Sequence, residues 1–130
     1  MIQPTYISFE QAKLLKEKGF DKECKQRYFI ATNIDEESFP FLQEDCALHN
    51  WNDYDDSSTV YYSAPEQYQL IEWLKVNHGI WVTVIPNITG TKWKPVLMKV
   101  GKDDLYDEFA FNSPQEAYSA AFDYILTKLI

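Results

Sequence analysis

Apolar and polar positions recur along this chain with two different periods. Between Ile80 and Ile85 the step is two, with Ile80, Val82 and Val84 on one face and Trp81, Thr83 and Ile85 on the other. That alternation predicts a strand. Pro86 to Thr91 is turn chemistry, and Trp93 to Val100 returns as the hairpin partner. Pro95 has no N–H to donate, so the return strand is expected at an edge or a bulge. After a second turn at Gly101-Lys102-Asp103-Asp104, a short strand is expected around Tyr106 to Phe111. Tyr28 to Ala31 and Thr59 to Tyr62 are further strand candidates, while residues 33–57 read as loops that include a short helix.

The helical period appears three times, each time behind the same device. Ser8-Phe9-Glu10-Gln11, Ser63-Ala64-Pro65-Glu66 and Ser113-Pro114-Gln115-Glu116 all match the capping box, S-x-x-[E/Q]. In that device the serine oxygen accepts from an orphan amide, and the third residue reaches back to the serine N–H. Proline fits the first turn of the second and third helices, where the missing N–H has no helical partner. The first helix is expected over about Phe9 to Lys18, stopped by Gly19, with Phe20 folding back on Leu15. The second ends before Gly79 and buries Gln67, Leu70, Ile71 and Leu74, with Trp73 on the flank. The third starts at Pro114 and buries Ala117, Tyr118, Ala121, Phe122, Ile125 and Leu129. The order from Thr59 to Ile130 is therefore β-α-β-β-β-α, preceded by the N-terminal helix. The expected fold class is α+β: a mainly antiparallel sheet with helices packed on one face, as a single domain over residues 1–130.

Composition agrees with a packed core, since 45% of the 130 residues are hydrophobic and 16% aromatic. No apolar run approaches the roughly 18 residues of a membrane span, and Met1 to Thr5 lacks the regions of a secretion signal. Two cysteines, Cys24 and Cys46, imply no disulfide framework, so a cytoplasmic protein is expected. Charge adds a stronger constraint. Of the net −8, all of the excess comes from Tyr28 to Leu74, which holds ten acids and no Lys or Arg. Such a field repels nucleic acid and anionic membranes and favours basic partners, so a protein partner is expected and direct nucleic-acid binding is not.

The chemistry-bearing residues are few. Cys46-Ala47-Leu48-His49 offers a close pair of soft donors, yet zinc needs about four in a tetrahedral array, so Cys46 and His49 are weak metal candidates. Asn50 to Ser57 has the look of a calcium loop counted from Asp53. Position six is Ser58 instead of glycine, and position twelve is Ala64 instead of glutamate, so that reading fails. Asp53, Asp55 and Asp56 remain as binding candidates. His78 at the end of the second helix suits its last carbonyls better than catalysis. Trp51, Trp81 and Trp93 are candidates for an aromatic binding surface, with core packing as the alternative. No phosphate loop, dinucleotide fingerprint, nucleophile elbow or zincin motif occurs, and no cofactor is expected.

Tyr62-Ser63-Ala64-Pro65, Gln69, Trp73-Leu74-Lys75 and His78-Gly79-Ile80 resemble a pattern in small uncharacterised proteins of bacteriophages, prophages and gut anaerobes. Asn50-Trp51-Asn52 and the helix from Ser113 resemble the same group, so the likeness spans about residues 50–130. The resemblance implies a shared helix-strand element and carries no catalytic residue. The expected function is thus an accessory binding protein of phage or mobile-element type, acting through an acidic or aromatic surface. One specific version is an inhibitor that imitates nucleic acid. The alternatives are a small metal-assisted hydrolase built on Asp53, Asp55 or Asp56 with Cys46 or His49, and a homo-oligomeric structural protein.

Overall fold

A computed structural model of the chain describes residues 5–31, 40–54, 59–99 and 109–130. In chain order it has α1 (Phe9–Glu17), β1 (Arg27–Ala31), β2 (Phe41–Gln43), a 3₁₀ turn (Trp51–Asp53), β3 (Thr59–Ser63), α2 (Gln67–His78), β4 (Ile80–Pro86), β5 (Trp93–Lys99) and α3 (Pro114–Tyr124). The final turn, Ile125–Leu129, is π-helical. The fold is α+β, all strand pairing among the described residues is antiparallel, and an N-terminal helix leads into the strands. The chain forms two compact units, Tyr6–Glu66 and the remainder.

In the Tyr6–Glu66 unit the sheet order is β2-β1-β3. Alternation along β1 sends Tyr28 to one face and Arg27 and Phe29 to the other. Helix α1 covers the first of these faces. Phe9 stands edge-on to Tyr28 at 5.5 Å and to Tyr62 at 5.4 Å, and the Tyr28 hydroxyl donates to Ile7 O at 2.8 Å. The capping box at Ser8 closes in both directions, Gln11 N to Ser8 Oγ at 3.2 Å and Ser8 N to Gln11 Oε1 at 3.0 Å. Gly19, at φ 84°, ends α1 in a Schellman motif, in which Phe20 N donates to Leu15 O at 3.0 Å and Leu15 and Phe20 are both buried.

In the other unit β4 and β5 form a two-stranded sheet, with α2 and α3 packed against it. Ile80, Val82, Pro95 and Leu97 lie on the buried face, while Trp81, Ile85 and Met98 are exposed on the opposite one. Pro95 sits in register opposite Val84, which a sheet of two strands permits because β5 has no partner strand to serve on its outer side among the described residues. The expected third strand is represented by Phe111, which makes an isolated bridge with Trp93, whereas residues 106–108 lie outside the described residues.

Four expectations need correction. Ser63 does not cap α2, because it is the buried last residue of β3 and its Oγ accepts from Trp51 N at 3.1 Å. The first amide of α2, Gln67 N, donates instead to Thr5 O at 2.8 Å. Thr59–Ser63 pairs with β1 and not with the β4–β5 hairpin. On α2 Trp73 is buried, while Ile71 is only half-buried, so the indole takes the place assigned to Ile71. On the last helix Leu126 is buried and Leu129 is not, because the π turn carries more residues per turn and slips the stripe by that much. Within residues 40–54 the short helix expected among the loops is the 3₁₀ turn Trp51–Asp53, which follows the short β2.

Candidate functional site

The second face of the β2-β1-β3 sheet, turned away from α1, carries a row of aromatic side chains. Register places Phe29 opposite both Phe41 and Tyr61, and Arg27 opposite both Gln43 and Ser63, so these six residues share one face. The Phe29 and Phe41 rings stack at 5.7 Å, and Tyr61 meets Tyr54 edge-on at 5.0 Å. Trp51 contacts Tyr54 at 5.3 Å and His49 at 5.0 Å, and His49 meets Tyr54 at 5.7 Å. Phe41 is 61% and Tyr54 is 42% exposed, whereas Trp51 is buried.

Local hydrogen bonds explain why the 3₁₀ turn holds Trp51 in place. The indole Nε1 donates to Cys24 O at 2.8 Å, and Cys24 forms an isolated antiparallel bridge with His49. Asn52 locks the same turn to two other segments, accepting from Ser63 N at 2.9 Å and donating from Nδ2 to Phe20 O at 2.9 Å. Asn50 accepts from Asn52 N at 3.2 Å, an Asx turn that starts the 3₁₀ helix. The Asn50-Trp51-Asn52 sequence is therefore a brace under the aromatic face, with Trp51 as its buried member.

Arg27 sits in this face with its guanidinium 4.2 Å from the Trp51 ring centre and 4.3 Å from that of Tyr61. Its Nε donates to Gln43 Oε1 at 2.8 Å. Cation–π contacts of this kind contribute about 0.5–2 kcal/mol each, depending on desolvation.

The residues singled out from sequence belong to both units, and two of them lie outside the described residues. Trp51 and Asp53 belong to the turn beside the face, and Asp53 is exposed. Asp55 and Asp56 lie outside the described residues. Trp81 and Trp93 belong to the other unit and share one hairpin, but on opposite faces. Trp81 lies on the exposed face, and Trp93, half-buried, lies on the one carrying Val82 and Leu97. The Cys46 thiol faces the backbone carbonyl of Gln43 at 3.5 Å, and the His49 ring is set among aromatic rings. Among the described residues no three His, Cys, Asp or Glu side chains group as metal ligands.

Arg27, Phe29, Phe41, Tyr54 and Tyr61 were not anticipated from the sequence. One signal for Arg27 was available, since it is the single arginine of the chain. A shallow groove of about 340 Å³ lies at the hairpin tip of the other unit, lined by Pro86, Asn87, Ile88, Thr89 and Phe109. Among the described residues none that lines it is ionisable. The chain matches no protein-family model, no curated protein and no solved structure.

Proposed function

We propose that the chain is a non-enzymatic accessory protein of phage or mobile-element type, which binds a protein partner through the aromatic face of its three-stranded sheet. The observation that carries this reading is the exposure of Phe41 and Tyr54 on a face whose neighbouring rings are held in place from beneath. Large, rigid aromatic side chains offer contact area at little entropic cost, which is why they are enriched in interface cores. Glu44 and Asp45 directly follow β2, and Asp53 directly precedes Tyr54, all three exposed, so the face has an acidic rim. That rim disfavours nucleic acid as the ligand and suits a partner with a basic border. The mobile-element assignment is supported by the resemblance over residues 50–130. The narrower reading, imitation of nucleic acid, draws on Glu44, Asp45 and Glu66, which all act on Tyr6 and so belong to one negative region.

The test is capture by cross-linking from a lysate of the source cells, comparing the wild type with Phe41→Ser, Tyr54→Ser and a control, Val76→Ser, on α2. Val76 is exposed on the other unit. A protein retained by the wild type and the control, and lost from both face variants, is the expected result. If all four capture the same proteins equally, the aromatic face is not the binding surface.

A further inference from the structure

The chain has 12 basic residues, and only one of them, residue 27, is arginine. Lysine serves at every other basic position, so the single arginine stands where a flat, delocalised cation fits between two rings. Stacking against Trp51 and Tyr61, with Nε bound to Gln43, fixes the plane of the guanidinium as well as its position. Nε is thereby used. Among the described residues no group accepts from the two terminal nitrogens, and no carboxylate forms an ion pair with Arg27. The side chain is half-buried, so its outer edge reaches solvent. What the sheet presents is therefore a pre-oriented pair of N–H donors with a full positive charge, the geometry that matches an oxyanion in two-point contact.

We infer that Arg27 anchors a carboxylate of the protein partner, bound through its terminal nitrogens, with Phe29 and Phe41 receiving the apolar groups beside it. This rests on the reading of the aromatic face as the binding surface. The surroundings select the class of anion. Exposed Glu44 and Asp45 directly follow Gln43, the acceptor for Arg27 Nε, exposed Asp53 directly precedes Tyr54, and the chain carries −8, so a polyanion or a doubly charged phosphate meets more repulsion than one carboxylate does. Phe29 is two residues along the same strand and Phe41 is stacked on it, which places the apolar subsite directly beside the fork.

Because the chain has a single arginine, its Nε–H gives one nitrogen-15 NMR signal that reports the site without ambiguity. The full-length chain is titrated with N-acetylphenylalanine, with its neutral amide, and with inorganic phosphate. Expected is a saturable shift of the Arg27 Nε–H signal with N-acetylphenylalanine and none with the amide. In Arg27→Lys, read through the backbone amides of Gln43 and Tyr61, affinity is expected to fall about tenfold or more, since the two-point contact is gone. Gln43→Ala, which frees the plane but keeps the charge, is expected to weaken binding less than Arg27→Lys while leaving the spectrum of α1 unchanged. The carboxylate assignment is overturned if no saturable shift occurs up to the probe's solubility limit, if the amide acts equally, or if phosphate binds more tightly. A partner captured by the wild type and lost from Phe41→Ser, yet retained by both Arg27→Lys and Gln43→Ala, would keep the aromatic surface and remove the anchor.

Discussion

Burial separates the two thiols of this protein. Cys24 is fully buried and its thiol pKa is pushed up to about 12, because the interior cannot solvate a thiolate. Cys46 is half-exposed, so a thiol reagent is expected to modify one cysteine of the native chain and both after unfolding. The sign of the pH dependence follows from linkage. Below pH 9.0, the ordinary value, Cys24 is protonated in folded and unfolded chains alike and has no effect. As pH rises from there to about 12, only the unfolded chain releases the proton, and stability falls by up to about tenfold in the folding constant per pH unit. Urea midpoints measured across that window check this, and Cys24→Ala is expected to make the decline shallower. Tyr28, also shifted upward by burial, acts in the same direction at the alkaline end. Single residues were unevenly legible in the sequence. That Cys24 and Cys46 form no disulfide framework could be read from their number, whereas which of the two is buried could not. The role of Arg27 could not, because it depends on which residues β2 and the 3₁₀ turn bring alongside it.

At the level of elements, devices contained within a few residues were legible, and devices borrowed from elsewhere in the chain were not. Ser8 and Gln11 bond to each other in both directions, and Gly19 needs only a positive φ, so both ends of α1 could be read locally. At Ser113 the cap is half local: Glu116 N donates to Ser113 Oγ at 3.2 Å, but the Glu116 carboxylate accepts from Asn112 N. Ser63 has the same spacing and a different employer, the buried amide of Trp51. The strand β2 carried no periodic signal, being three exposed residues long. Two substitutions with the same chemistry are therefore expected to act by different routes. Ser8→Ala loses an N-cap, at a cost of about 1 kcal/mol, and frays the start of α1. Ser63→Ala leaves a buried N–H without its acceptor, a cost of about 1–3 kcal/mol, while the protection of the α2 amides against hydrogen exchange in the native state stays as it was. Urea denaturation with residue-resolved exchange distinguishes the two.

For the whole molecule, the α+β class and the antiparallel pairing followed from pattern, while the grouping of strands did not. Thr59–Ser63 has no internal mark that assigns it to β1 rather than to the hairpin, since either neighbour would satisfy its alternation. The charge distribution was legible from the order of acidic and basic residues along the chain, yet the aromatic face on the unit holding most of the acids was not, because Phe29, Phe41, Tyr54 and Tyr61 come from four separate segments. Among the described residues no helix is long and apolar enough to cross a membrane.

The bridge between Tyr6 and Glu66, with Ile7 N donating to Pro65 O at 3.2 Å, joins the first and last residues of the unit that carries the aromatic face. A unit whose ends already lie side by side is a cassette: it can be lifted from one chain and spliced into a surface loop of another without spreading the insertion point. The segment Tyr6–Glu66, placed in an exposed loop of an unrelated carrier, is expected to keep the blue-shifted emission of its one tryptophan, Trp51. Emission at the wavelength of a solvated indole would show that this unit depends on the rest of the chain.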